Sequence, residues 1–173
     1  DYKSIYNEEL MKVINDRIRR FEKGELSRDD FTLKKAVSFL NEIAKKGTIL
    51  YLASGTDRAD VRKEAEKLGY AELFGDRIFG AVGDIAVEPK RVVLNMIIEE
   101  IGPGQTESIV TFGDGPVEMR ETKKKGGFTV GIASDEIRRF GLNSKKRERL
   151  VLAGADLVIP DFSQYEKLLE VLT

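Results

Sequence analysis

Residues 108–118 run Ser-Ile-Val-Thr-Phe-Gly-Asp-Gly-Pro-Val-Glu. The first five are apolar or β-branched apart from the opening serine. The run is too short for a helix and shows no polar alternation, which is how a strand buried on both faces reads. Gly113-Asp114-Gly115 then breaks the pattern, and 116–125 follows as a helix stopped by Gly126-Gly127. The stretch is therefore a buried strand, a glycine-flanked aspartate and a helix start, in that order.

The same unit recurs on both sides. Downstream, 128–133 (FTVGIA) predicts a strand, 145–153 a helix, 157–159 a short strand and 163–172 a closing helix. Upstream, 48–53 (TILYLA) predicts a buried strand, 57–68 a helix closed by Gly69, 77–82 a short strand, and 89–101 a helix with Pro89 suited to its first turn. Before these lie two amphipathic helices. The first spans 5–23 with Tyr6, Leu10, Val13, Ile14, Ile18 and Phe21 at helical spacing, and stops at Gly24. The second follows the capping-box-like pair Ser27 and Asp30, carries Leu33, Ala36, Val37, Leu40, Ile43 and Ala44 on one face, and ends at Gly47. Alternating apolar strands and helices specify an α/β fold, a Rossmann-like doubly wound parallel sheet. Ligands in such folds bind beyond the carboxyl ends of the strands.

Composition narrows the chemistry. The 173 residues suit one domain with a small appendage. Charged residues make up 34% yet nearly cancel, leaving a net charge of −1, which argues against nucleic-acid and polybasic membrane partners. There is no cysteine and no histidine, so disulfides, thiolate catalysis, the usual zinc ligand sets and histidine general bases are all excluded. Carboxylates and lysines must carry any metal or acid–base work. No apolar run approaches the roughly 18–20 residues of a membrane span, and the expectation is a cytoplasmic protein. The basic clusters 123–125 and 145–147 read as solvated helix ends. Arg17, Arg19 and Arg20 read as an exposed basic face that an anionic substrate could also meet.

Three clusters fall at strand ends. Ser54-Gly55-Thr56-Asp57 offers hydroxyls and backbone N–H groups to an anion, or a set of helix caps. Asp114 and Glu118, four residues apart, offer two carboxylates to a hard cation, or an N-cap with a favourable first-turn acid. Lys90 stands at a helix start, where the dipole disfavours a cation, so an anion is a natural partner. Gly83-Asp84 and Glu88 repeat the spacing of the second cluster and rank below it, because the preceding IFGAV is broken by glycine.

In this order the clusters resemble the haloacid dehalogenase superfamily. YLASGT matches its second motif with Ser54, EPKRVVL its third with Lys90, and IVTFGDGPVE its fourth with Asp114 and Glu118; the likeness runs from about Phe31 to the end. The resemblance implies a Mg²⁺-dependent phosphatase acting on a small phosphorylated metabolite through an aspartyl-phosphate. Ser54, with Gly55 and Thr56, would bind the phosphoryl oxygens, Lys90 would neutralise charge, and Asp114 and Glu118 would hold the metal. Phosphomutase or dehalogenase chemistry on the same core is a variant.

The family's first motif, an apolar strand ending in Asp-x-Asp-Gly, supplies the nucleophile, and no such segment occurs in residues 1–173. In the family that strand lies between those of the second and fourth motifs. The expectation is therefore a helical cap remnant over 1–30 and a core over 31–173 with a gap in its sheet. An upstream segment or a second chain would fill the gap, and the chain alone would be inactive. The alternatives are a non-catalytic domain of this type that binds a phosphorylated ligand or a protein partner, and a different doubly wound module.

Overall fold

The computed structural model describes residues 2–81, 89–102, 104–138 and 140–172. The chain forms two compact units, Asp1–Lys34 and Lys35–Thr173.

The first unit is helix α1 (Tyr2–Glu22) and the return of the chain behind it. Phe21 meets Phe31 edge-on with ring centroids 5.5 Å apart. Arg17 donates to the Asp30 carbonyl at 2.6 Å and lies 4.7 Å over the Phe31 ring, while Arg19 pairs with Asp16 and Arg20 with Glu25. The three arginines thus serve local structure. The Asp30 carboxylate accepts from the Ser27 N–H and hydroxyl, as the sequence suggests, but it closes a single 3-10 turn, Arg28–Asp30. The second helix starts six residues later than Asp30, because Lys35 adopts a left-handed conformation (φ 61°) that no helix can run through.

The second unit alternates as expected: α2 (Ala36–Lys45), β1 (Leu52–Asp57), α3 (Arg58–Leu68), β2 (Ile78–Ala81), α4 (Pro89–Ile101), β3 (Val110–Gly113), α5 (Pro116–Lys124), β4 (Phe128–Ile132), α6 (Ser144–Leu152), β5 (Leu157–Ile159) and α7 (Tyr165–Leu172). Every ladder is parallel. β1 pairs with β2, and β3, β4 and β5 pair in that order. No ladder joins the two groups among the described residues. The core is built on Phe39, Ile78, Val93, Met119, Val130 and Leu150, each no more than 1% exposed. Phe39 stacks on Phe162 and meets Phe112 edge-on, so α2 and β3 share one aromatic cluster. α4 packs on β1, β2 and α5. No helix among the described residues is long and apolar enough to cross a membrane.

β1 departs from the sequence reading. The strand begins at Leu52, not Thr48, because the Leu50 carbonyl is taken by the Arg77 guanidinium (3.1 Å) and the ladder opens only at Leu52 N–H to Arg77 O (2.9 Å). It continues through Asp57 with a register shift between Ala53 and Asp57, so Ser54, Gly55 and Thr56 lie on an irregular strand segment and not in a following loop. Gly80 makes this possible. A Cβ there would stand 2.6 Å from the Thr56 carbonyl and from the Arg58 backbone. At the helix ends, Asp57 caps α3 by accepting from Ala59 N–H at 2.8 Å, and Gly69 closes it with φ 75°.

Candidate active site

The carboxyl end of β3 delivers Asp114, and the first turn of α5 delivers Glu118. Glu118 folds back over the Gly113-Asp114-Gly115 turn. A Cβ on Gly115 would lie 2.5 Å from Glu118 Oε2, and one on Gly113 would lie 3.1 Å from its Cβ and Cγ. Both glycines are therefore the space in which the Glu118 side chain lies. Lys90, at the start of α4, reaches across and donates to Glu118 Oε1 at 2.8 Å, with Asp114 Oδ1 4.0 Å away. Burial alone would lower the Lys90 ammonium, but its hydrogen bond to Glu118 and the charges of Glu118 and Asp114 outweigh this and hold it above the ordinary lysine value. Lys90 therefore stays charged throughout the neutral range.

Glu118 is only 15% exposed, and its Oε2 is buried without a hydrogen-bond partner among the described residues. A buried carboxylate oxygen left bare is costly, and an ion is one ordinary explanation. Together with the half-exposed Asp114 it forms a pair of hard oxygen donors, which suits Mg²⁺ retaining several of its waters. No group of three or more acidic, histidine or cysteine side chains poised for a metal occurs among the described residues. Among the described residues, the candidate donors are thus these two carboxylates.

Sequence reasoning missed one member of the cluster. Lys146, in the first turn of α6, was read with its neighbours as solvated. Its side chain is 16% exposed, its Nζ lies 3.5 Å from Asp114 Oδ2, and it also pairs with Glu136 on the turn after β4. The signal available was the one used for Lys90, a lysine where the helix dipole disfavours it. Lys123 and Lys124 do lie at a helix end, in the last turn of α5, paired with Asp156 and Glu121.

Ser54, Gly55 and Thr56 make no hydrogen bond or ion pair to this cluster among the described residues. The Ser54 hydroxyl accepts from Thr56 N–H at 3.1 Å, which leaves its proton available to an anion. The structure thus joins Lys90, Asp114 and Glu118, adds Lys146, and leaves Ser54 on the neighbouring ladder. Gly83, Asp84 and Glu88 lie outside the described residues.

Comparison with known proteins bears on this arrangement. The model of the haloacid dehalogenase-like hydrolase family matches residues 4–124, well over half of the chain. Among solved structures, a haloacid dehalogenase-like protein of unknown function from Agrobacterium tumefaciens superposes with a TM-score of 0.65 at 17% identity, covering 81% of this chain and 60% of that one. A predicted phosphatase from Clostridium acetobutylicum gives 0.64 at 19%, covering 79% and 59%. A family hydrolase from Deinococcus radiodurans with bound phosphate and sodium gives 0.61 at 16%, covering 81% and 59%. The chain thus spans about 60% of the length of the structures it matches. No curated protein matches it. At these identities the superpositions speak for the fold, and the family match speaks for descent: the chain belongs to the haloacid dehalogenase-like hydrolases.

Proposed function

We propose that this chain carries the phosphate-binding, charge-neutralising and cation-holding parts of a Mg²⁺-dependent phosphatase for small phosphorylated metabolites. The observation that carries the reading is the convergence of Lys90 on Asp114 and Glu118, with one Glu118 oxygen buried and without a hydrogen-bond partner among the described residues. Phosphoryl transfer asks mainly for positioning and charge stabilisation, which lysines and carboxylates can supply without histidine or cysteine. Asp114 and Glu118 would hold Mg²⁺, whose part is to neutralise charge on the phosphoryl oxygens. Lys90 would move its ammonium from Glu118 toward the phosphate as negative charge builds there. The Ser54 hydroxyl, with Gly55 and Thr56 beside it, would donate to a phosphoryl oxygen.

The attacking carboxylate is assigned to an Asp-x-Asp-Gly strand outside residues 1–173, on an upstream segment or a second chain, lying between β1 and β3. Two facts support this: those strands share no ladder among the described residues, and the chain spans about 60% of its structural relatives. Residues 1–30 are read as part of a helical cap that screens substrates. A second reading, a domain that binds phosphorylated ligands without turnover, is favoured by the lack of Asp-x-Asp-Gly in these residues.

The test is Asp114→Asn in the complete protein, with the segment or second chain that bears the Asp-x-Asp-Gly strand, assayed for Mg²⁺-dependent hydrolysis of p-nitrophenyl phosphate. Turnover is expected to fall at least about 100-fold, the scale of losing one charge-stabilising group, with the melting transition retained. Unchanged turnover would refute the metal assignment. Phosphate binding with no hydrolysis in the unaltered protein would move the second reading forward.

A further inference from the structure

The Asp114 carboxylate is held from two sides. Lys90 faces Oδ1 at 4.0 Å and Lys146 faces Oδ2 at 3.5 Å. Lys146 is the more enclosed of the two ammonium-bearing side chains, 16% exposed against 45% for Lys90. It stands in the first turn of α6, close to backbone N–H groups; Asn143 caps that helix by accepting from the Lys146 N–H at 3.0 Å. Helix dipole and burial both disfavour a cation here. Its position is sustained by two carboxylates, Asp114 on one side and the 72% exposed Glu136 on the other.

We propose that Lys146 tunes the affinity of the Asp114 cation site: its ammonium competes with a divalent ion for Asp114, and Glu136 sets the strength of that competition by drawing the ammonium away. The inference rests on Asp114 and Glu118 being cation ligands. An ammonium and a divalent ion on one carboxylate repel each other, so cation binding must loosen the Lys146–Asp114 pair. Glu136 then gives Lys146 a partner to keep, so that its charge is not stranded when Asp114 turns to the ion. Before the ion arrives, Lys146 neutralises Asp114 from the Oδ2 side and Lys90 from the Oδ1 side.

Isothermal titration of the EDTA-treated protein with Mg²⁺ alone tests this without any turnover. Lys146→Met is expected to bind Mg²⁺ at least about fivefold more tightly, the scale of removing one like charge near a solvated site. Glu136→Gln is expected to bind about two- to threefold more weakly, because Lys146 then has only Asp114 to pair with. Lys146→Arg, which keeps the charge, stays near the wild-type value. A merely structural lysine would not give opposite shifts in the two neutralising variants. Glu136 lies on an exposed turn, so its variant keeps the test open even if Lys146→Met folds poorly. Mg²⁺ binding by the wild type with Lys146→Met unchanged or weaker, or with Glu136→Gln unchanged, overturns the role of Lys146 alone. No Mg²⁺ binding by the wild type overturns the cation site, and this inference with it.

Discussion

Gly115→Ala separates the design of the site from the stability of the fold. Gly115 has φ −110° and ψ 150°, ordinary extended backbone that alanine adopts freely. The new methyl would nonetheless stand 2.5 Å from Glu118 Oε2 and 3.2 Å from its Cδ and Oε1. The glutamate must swing away, and its 2.8 Å bond to Lys90 is lost. A charged hydrogen bond contributes about 1.5–3 kcal/mol when enclosed, and exposure of Lys90 brings this nearer to about 1 kcal/mol. Alanine at the N-cap costs about another 0.5 kcal/mol, and the stiffer unfolded chain returns a similar amount. The net loss is about 1 kcal/mol, a fall of about 2–4 °C in melting temperature for a chain of this size. The proposed cation site, by contrast, would lose the Glu118 carboxylate, so Mg²⁺ affinity by titration calorimetry should fall at least about tenfold, equivalent to about 1.4 kcal/mol. Wild-type Mg²⁺ affinity in this variant would refute the argument that Gly115 exists to house Glu118.

Two further outcomes follow from packing and titration. Gly80→Ala would press a methyl to 2.6 Å of the Thr56 carbonyl and the Arg58 backbone, atoms that cannot rotate aside. A loss of about 2–3 kcal/mol is expected in urea unfolding, and a loss within 0.5 kcal/mol of zero would show that β2 and the β1 irregularity are not so closely apposed. Burial pushes the Asp156 carboxyl upward, but donation by Lys123 and by the Thr129 hydroxyl and N–H, each at 2.8 Å, prevails and holds it below its ordinary value. A depressed carboxylate stabilises the fold above its unfolded pKa of about 3.9, and that contribution disappears as pH falls through the lower, folded value. The wild type should therefore lose urea resistance below about pH 4 more steeply than Asp156→Asn, which starts lower at neutral pH; parallel pH profiles would contradict this.

The alternation of elements was legible because it depends on local pattern. SIVTF and FTVGIA are continuous apolar runs between glycine turns, and they became β3, which starts two residues later than read, and β4, which ends one residue earlier. Lys90, Asp114 and Glu118 were legible because each sits at a fixed place relative to such a run, at a helix start or just past a strand end. Positions fixed by distant side chains were not. TILYLA is as apolar as SIVTF, but Arg77 claims the Leu50 carbonyl and delays the strand, an effect that no window around residue 50 contains. The 3-10 turn at Arg28–Asp30 used the helix-start chemistry of Ser27 and Asp30 without starting an α-helix, because Lys35 turns left-handed five residues on. Lys146 was hidden by its neighbours: a Lys-Lys-Arg run looks uniformly solvated, and only the fold shows that the middle side chain turns inward toward an aspartate 32 positions earlier.

The two sets of parallel strands have a consequence for cooperativity. Backbone hydrogen bonds transmit order from strand to strand, and among the described residues none crosses from β1–β2 to β3–β4–β5. Among the described residues, what binds the two halves is side-chain packing, above all that of α4, which touches β1, β2 and α5 at once. That helix carries the lysine of the candidate site in its first turn. Its buried residues Val93, Leu94, Ile97 and Ile98 therefore act as the mechanical coupling between the ladder that bears Ser54 and the one that bears Asp114. Where the strand proposed to lie between β1 and β3 is lacking, loosening along this one apolar face would uncouple the two ladders before it melted either of them; that strand would add backbone hydrogen bonds to the coupling.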